Sequence, residues 1–350
     1  MNFFTKKTPF YRKKKLMIPL IIILFFVVLR VIAPPIILNQ INAQLKEFSP
    51  SISGHVEDLD LRVLAGGAVL EGITVKTKKD NKQFLKVESV DGSIALRELF
   101  KGNVVTEAVV NKADFTYTNG LMPAVKEHVA ANKDKEDKPL PDIRVARVDL
   151  KDSVMRVEAY PALTKEQGVL MSEINARATN LIPSKDLPKT IFSMQGKLLE
   201  SGTVKVNGEA LTEDKPLKWA VDSEILSFDL TSLNRFLKQK VPMTFSKGEL
   251  DFFMEAKSEE GKVAGYVKPF IKDLDVIKSK EEFKNTKHWI FEVITALGNI
   301  TVRADEEAAT RVPFTFDGTL KAETGEALSK AFQHGYVQEL SRGIENSIQL

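Results

Sequence analysis

The chain has 350 residues, of which 43% are hydrophobic and 28% are charged. These are values of a folded globular protein, and the length allows one large β-rich unit or two ordinary domains. Cysteine is absent, which excludes thiol catalysis, disulfides and cysteine metal sites. The net charge of +3 comes from residues 1–15, which hold six basic side chains and no acidic one. The basic balance therefore does not indicate nucleic-acid binding.

A long hydrophobic segment follows this basic tail. Residues 16–29 read LMIPLIIILFFVVL, and after Arg30 the apolar sequence resumes. A helix over 16–33 would be about 27 Å long, close to the roughly 30 Å hydrocarbon thickness of a bilayer. The segment therefore predicts a transmembrane helix over 16–33, preceded by a cytoplasmic tail over 1–15.

The flanking residues predict the orientation and the limits of this anchor. Arg30 lies near the far end, where its stem can reach the interface. Pro19 falls in the first turn, where proline costs little, and Pro34 with Pro35 is expected to end the helix at the membrane exit. Basic flanks stay on the cytoplasmic side, and the residues expected to set the orientation are Arg12, Lys13, Lys14 and Lys15.

A cleaved signal peptide would have the same basic flank and apolar run. Its best cleavage site would follow Ala33, but Pro34 comes next, and proline is poorly tolerated after a cleavage site. The sequence therefore favours a retained anchor.

After the proline pair, apolar residues recur at three- and four-residue spacing, which predicts an amphipathic helix over 36–48. Such a helix could lie on the membrane surface, cap the open end of a sheet, or be an ordinary domain helix, and the sequence leaves the three alternatives open.

From residue 51 onward, apolar and polar residues alternate. In VEDLDLRV (56–63), Leu59, Leu61 and Val63 fall on one face of a strand and the charged residues on the other. Short strands of this kind, joined by tight turns, are typical of an antiparallel sheet. The predicted strands cover 56–63, 69–77, 84–90, 93–96, 104–110, 113–118, 143–150, 154–160, 168–178, 190–199, 203–211, 217–226, 248–257, 262–270 and 312–323.

Few helices are predicted beside these strands. They cover 120–132, 230–237 with Asp229 as N-cap, 281–297, and a terminal helix over 326–350. A charged, proline-bearing loop is predicted over 132–142. So few helices cannot cover a sheet of about a dozen strands that is apolar on one face. That face is expected to curl on itself, pack against a second sheet, or hold an apolar ligand.

The sequence offers little chemistry. The four histidines lie far apart, without a zinc-binding spacing, and no nucleophile, phosphate-loop or dinucleotide motif occurs. Asp58 and Asp60 form a D-x-D, but on a strand both point to the polar face beside Arg62. We therefore predict no enzyme, no cofactor and no metal site.

The segment from 52 to 115 resembles the amino-terminal module of the AsmA-like family of bacterial envelope proteins. The resemblance rests on an apolar-Gly-apolar strand at 70–75, on "LKVESVDGSIAL" at 85–96 and on "LFKG" at 99–102. It covers the anchor and 52–118 and, less firmly, 310–350.

The resemblance implies an elongated, U-shaped antiparallel β-sheet with a hydrophobic inner groove. In larger relatives such grooves are thought to carry phospholipid acyl chains between the inner and outer membranes. A dozen strands at about 4.8 Å spacing extend only some 60 Å, so a complete bridge by this chain is not expected.

We therefore predict a mainly β fold with a few helices: the transmembrane helix, a module over 51–131, a sheet continuing over 143–325 and the terminal helix. The expected location is the bacterial inner membrane, with the bulk of the chain in the periplasm. The expected function is support of phospholipid transport or envelope homeostasis, with acyl chains as partners. A scaffold that binds other envelope proteins is the alternative, and an envelope hydrolase the remote third. The candidate groove-facing residues are Leu59, Leu61, Val63, Ile73, Val75, Leu85, Val87, Ile94 and Leu96.

Overall fold

The structure is a computed structural model. It describes residues 10–95, 104–132, 143–158, 168–181, 189–211, 216–237, 243–278, 307–309, 311–316, 320–322 and 341–348. These residues form mainly β-structure with few helices. The helices are α1 (Phe10–Glu47), α2 (Leu121–Asn132) and α3 (Asn234–Leu237), the last preceded by a 3₁₀ turn at Leu230–Leu233.

Fifteen strands form one sheet. In chain order they are β1 (Ile52–His55), β2 (Asp58–Arg62), β3 (Gly67–Thr77), β4 (Gln83–Ile94), β5 (Val104–Tyr117), β6 (Ile143–Val157), β7 (Val169–Thr179), β8 (Lys189–Leu198), β9 (Gly202–Leu211), β10 (Lys218–Asp229), β11 (Met243–Glu259), β12 (Lys262–Lys278), β13 (Glu307–Ala309), β14 (Val312–Phe316) and β15 (Leu320–Ala322).

The strands follow one another across a single layer in the order β1-β3-β4-β5-β6-β7-β8-β9-β10-β11-β12-β14-β15, with β2 also on β3 and β13 also on β12. The prediction of a purely antiparallel sheet is wrong at one place, because β5 and β6 pair in parallel. Parallel neighbours need a crossover connection. The segment between them, which contains α2, therefore returns the chain to the start of β6.

The helix α1 is longer than predicted. It begins at Phe10, so that Pro19 lies inside the helix instead of in its first turn, and it continues through Pro34 and Pro35 to Glu47. The expectation that the proline pair ends the helix, and that 36–48 is a separate helix, is therefore wrong. Proline removes a helical hydrogen bond, but its fixed φ suits a helix, and contacts of the following turns with the sheet hold them in place.

Six predicted strands merge into three. The pairs 84–90 with 93–96, 104–110 with 113–118, and 143–150 with 154–160 are the single strands β4, β5 and β6. The breaks in β5 and β6 each hold one left-handed residue, Lys112 (φ 49°) and Asp152 (φ 50°). The predicted helix 281–297, and most of the loop 132–142, lie outside the described residues. The terminal helix is wrong for 341–348, which are irregular.

Within the part of the chain that the structure describes, none of the helices is both long and apolar enough to cross a membrane.

Two hydrophobic clusters lie at the same end of the sheet, where β3, β5, β10 and β12 end. One joins Ile52 and Phe84 to Leu121 and Ala124 of α2. The other packs Leu230 of the 3₁₀ turn with buried residues of neighbouring strands, which are Leu199, Phe228, Phe245, Ile271 and Leu274.

Candidate functional site

One face of the sheet is apolar across twelve strands. Residues that pair directly across neighbouring strands share a face, so the register defines rows. One row is Leu59, Leu70, Val90, Val110, Leu150, Ala176, Met194, Val206, Ser223, Met254, Val267 and Val312. The second row is Leu61, Ala68, Gly92, Ala108, Val148, Ala178, Phe192, Gly208, Val221, Ala256, Gly265 and Phe314.

The row between these two points to the opposite face and is largely polar. It runs through Asp60, Val69, Asp91, Val109, Asp149, Arg177, Ser193, Asn207, Asp222, Glu255, Tyr266 and Pro313. The sheet is therefore two-sided, with one face suited to apolar material and the other to water or polar contacts.

The alternation slips by one residue at the same level of five neighbouring strands. In β3 the apolar face passes from Leu70 to Ile73, and in β5 from Val110 to Ala113. The residues at the slip are Gly72, Glu88, Lys112, Asp152 and Glu173, and all except Glu88 have a positive φ.

The slips leave the pairing of β3, β4, β5 and β6 in register on both sides of this line. Charged side chains mark the line on the other face, with Lys112 2.9 Å from Glu88 and Lys197 2.7 Å from Glu173. The hydrogen bond and charge of Glu88 raise the pKa of Lys112.

The apolar face is closed at one end and open at the other. The two hydrophobic clusters, with α2 and the 3₁₀ turn, lie at the closed end. At the open end, beside the β2–β3 turn, lies a cavity of about 560 Å³. Its lining includes Leu61, Val63, Ala68, Ile94, Ala108 and Val145.

The helix α1 lies along the edge of the sheet and reaches this open end. Its last turn packs at the closed end, where Leu45 lies against Gly54, and Phe48, directly after the helix, contacts the ring of His128 of α2. Further back along the helix, Arg30 lies 3.6 Å from Asp60 of β2. Residues 10–29 precede this contact, so the hydrophobic part of α1 begins where the cavity opens.

The predicted groove residues fall into two groups. The register places Leu59, Leu61 and Ile94 in line with the two apolar rows. Ile73, Val75, Leu85 and Val87 lie beyond the slip, where Val75 and Leu85 pack against the cluster of Ile52 and Phe84. Val63 follows β2, is 36% exposed and lines the cavity. Leu96 lies outside the described residues. Of the anchor residues, Arg12, Lys13, Lys14 and Lys15 are in α1, as are Pro34 and Pro35.

Sequence reasoning missed the second half of the apolar face. Its rows continue through Met194 and Phe192 of β8 to Met254 of β11. The same alternation of apolar and polar residues that predicted the first strands is present in these strands. It is less clear here because glycine, alanine and serine occupy some of the positions on the apolar face.

The polar face carries its own charge pairs. Asp149 is buried, and Arg177 lies 2.6 Å and Arg147 3.4 Å from its carboxylate. The hydrogen bond from Arg177 lowers the pKa of Asp149, although burial acts in the opposite direction. Such pairs occur in structural networks as well as in active sites, and among the described residues no cluster of side chains could hold a metal ion.

Comparison with protein-family models and with curated proteins finds no match for this chain.

Proposed function

We propose that this protein is an envelope protein, anchored in the bacterial inner membrane by α1, whose apolar face shields phospholipid acyl chains. The observation that carries the proposal is the continuous apolar face, which no described element covers between the closed end and the open cavity. Side chains of its central strands, such as Ala176, Met194 and Val206, are only partly buried. Contiguous exposed apolar surface of this size usually marks a binding site.

The anchor is part of the proposal. The proposed membrane span is 16–33, about 27 Å of helix and close to the roughly 30 Å of the hydrocarbon layer. Arg30, near its far end, contacts Asp60 of β2. With Phe10 toward the cytoplasm, the basic side chains near the start of α1 would lie on the inner side. The cavity would then face the outer leaflet, where an acyl chain can enter.

The U-shaped curl predicted from the sequence is not seen, because the described strands form one uncurled sheet. The proposed lipid site is therefore the open apolar face itself, whose twelve strands extend about 53 Å at 4.8 Å spacing.

Burial of methylene groups would supply the affinity. Each CH₂ removed from water contributes about 0.8 kcal/mol, so chain length matters more than the headgroup. The proposed site therefore accepts phospholipids as a class and requires no enzymatic chemistry.

The proposal is tested by purifying the full chain in mild detergent and quantifying bound lipid by mass spectrometry. Two identical serine-to-aspartate changes serve as test and control. Ser223→Asp places a charge in the apolar row, whereas Ser193→Asp places it on the exposed polar face. We expect phospholipid with the unchanged chain and with Ser193→Asp, and at least a tenfold loss with Ser223→Asp.

Equal lipid content in both variants, or no bound phospholipid in the unchanged chain, would contradict the proposal. The scaffold alternative has its own signature. In-cell crosslinking would then capture the same defined protein whether or not Ser223→Asp has removed the lipid.

A further inference from the structure

The segment 341–348, called the C-terminal segment below, crosses the polar face of β11 and β12. This is the face opposite the proposed lipid surface, because the side chain of Glu255 belongs to the polar row. Three buried polar or charged side chains of the two strands contact the segment: Glu255 (1% exposed), Tyr266 (1%) and Lys268 (0%).

Lys268 is the first of these contacts. Its ammonium donates to the carbonyl of Ser341 and lies 3.1 Å from the carboxylate of Glu345. A charge in the protein interior is tolerated only when it is paired and hydrogen-bonded. Among the described residues, the groups that do this for Lys268 belong to the C-terminal segment.

The second contact with the C-terminal segment is made by Glu255. Its carboxylate accepts hydrogen bonds from the backbone N–H groups of Asn346 (2.6 Å), Ser347 (2.9 Å) and Ile348 (3.1 Å) and from the hydroxyl of Ser347. One carboxylate thus holds three consecutive backbone donors. The three donors converge because the segment turns at Asn346, whose φ is 53°, and successive N–H groups in such a turn form a concave site for an anion.

Tyr266 joins the two contacts. Its hydroxyl accepts from the backbone N–H of Glu345 at 3.1 Å, and it hydrogen-bonds Glu255. Burial raises the pKa of Tyr266 to about 12, so the phenol remains protonated and can serve as a donor to the carboxylate.

The C-terminal segment carries one basic and one acidic residue, and each forms an ion pair with a residue outside the segment. Arg342 lies 3.0 Å from the buried carboxylate of Asp251, and Glu345 also pairs with Arg311 at 3.2 Å. The guanidinium of Arg311 stacks 4.1 Å from the ring centre of Tyr266. The pairing sets the register of the segment, since a shift by one residue would separate both pairs.

Apolar residues of the segment complete the contact. Ile344 and Ile348 line a cavity of about 250 Å³ together with Ile191 of β8 and Ala220 of β10, and the polar residues Asn207 and Asp222 also line it. The segment is therefore recognised by charge, by backbone donors and by apolar side chains.

We propose that the polar face of β11 and β12 is a peptide-binding site, and that its ligand is the C-terminal segment of the same chain, bound as a latch. The site takes a peptide with a basic residue followed three positions later by an acidic one and then by a turn whose three consecutive backbone N–H groups point to one side. It is independent of the lipid surface on the opposite face.

The test is hydrogen exchange of the full chain, read at the amides of Asn346 and Ile348. We expect at least tenfold protection over the unfolded rate. Ser347→Pro removes one donor within the latch and leaves the sheet unchanged, so it is expected to abolish this protection while amides of β9 keep theirs. Glu255→Gln, which removes the charge of the acceptor, is expected to weaken it at least tenfold. Glu88→Gln, at an exposed ion pair, is the control and leaves it unchanged.

A synthetic peptide with the sequence of residues 341–350 provides the second measurement. Added in excess to the full chain, it is expected to displace the latch and to accelerate exchange at its amides. Exchange of these amides at the unfolded rate in the unchanged chain would overturn the proposal. Protection that disappears on dilution would also overturn it, because the segment would then be bound by a second copy. Lipid content separates this outcome from failure of the proposed function, since Ser347→Pro leaves bound lipid unchanged.

Discussion

The side chain of Asn42 in α1 pairs with both backbone groups of Val56, the first of the two residues between β1 and β2. Its oxygen accepts from the N–H of Val56 at 2.8 Å, and its nitrogen donates to the carbonyl at 2.9 Å. Val56 is only 1% exposed. The amide thus takes the place that a neighbouring strand would occupy, and it fixes α1 to the sheet edge.

The first prediction compares this contact with the ion pair of the same helix. Asn42→Ala leaves two buried backbone groups without partners, which costs about 1–3 kcal/mol in the free energy of unfolding for each group that water cannot reach. Asp60→Ala removes the pair with Arg30 and a longer pair with Arg62 at 4.0 Å, both between exposed side chains, and such pairs contribute about 0–1 kcal/mol each. Urea denaturation in detergent measures both, and an equal effect of the two changes would refute this ranking.

A second prediction concerns two glycines of one apolar row. A Cβ at Gly208 would collide with the ring of Phe192 and lie 2.8 Å from the carbonyl oxygen of Ala220. Gly208→Ala is therefore expected to lower the free energy of unfolding by about 1–3 kcal/mol. At Gly92 the nearest atom is 3.7 Å away, so Gly92→Ala is expected to be neutral or to stabilise by about 0.4–1 kcal/mol. Destabilisation of the same size at both positions would show that crowding against Phe192 is not the cause.

The line of left-handed residues yields a third prediction. Asp152 has a φ of 50°, which a β-branched residue adopts only with strain. Asp152→Val is expected to cost about 1–2 kcal/mol of stability, whereas Asp152→Gly is expected to change it by less than about 0.5 kcal/mol. Lys151→Val, at the exposed neighbour without a positive φ, is the control. If the glycine variant loses as much stability as the valine variant, the conformation of residue 152 is not what matters.

Acid is expected to release the C-terminal segment. Burial acts to raise the pKa of Glu255, but hydrogen bonds from Tyr266, Ser347 and backbone N–H groups outweigh it, and the pKa falls below its usual 4.5. Burial likewise acts to raise the pKa of Glu345, but the hydrogen bonds and charges of Lys268 and Arg311 together outweigh it, and this pKa is also lowered. A lowered pKa means that the folded state binds fewer protons than the unfolded state.

The stabilisation by these two carboxylates is therefore present above about pH 4.5 and is lost as the pH falls through their lowered pKa values. Unfolding measured between pH 6 and pH 3 is expected to show this loss, and Glu255→Gln is expected to reduce it. The charged residues near Glu255, among them Asp251, Lys268 and Arg342, are unchanged in Glu255→Gln, so the comparison isolates the titration of Glu255. An equally steep loss in the variant would exclude Glu255 as its source.

Alternation predicted much of the sheet because it is a local property. The spacing of Leu59 and Leu61, and of Ile73 and Val75, was enough to place them on one face, and the N-cap at Asp229 is confirmed by its 2.8 Å hydrogen bond from the N–H of Thr231. The breaks at Lys112 and Asp152 were predicted as chain turns, because a slip in alternation has the same local signature as a turn.

The features that could not be predicted from the sequence depend on contacts between residues far apart in the chain. The parallel pairing of β5 and β6 follows from where the chain returns, which no local pattern encodes. The partners of Glu255 lie 91 to 93 residues away along the chain, so its burial could not be predicted from the neighbouring sequence. The continuation of α1 beyond Pro35 likewise reflects contacts of Asn42 and Leu45 with the sheet.

Photocrosslinking along β8 in intact membranes tests the central claim most directly. A photoreactive side chain is placed in turn at Phe192, Ser193, Met194 and Gln195, which alternate between the two faces. Positions 192 and 194 are expected to capture phospholipid, and positions 193 and 195 are expected to capture none. Lipid captured equally at all four positions, or at none of them, would contradict an acyl-chain site on the apolar face.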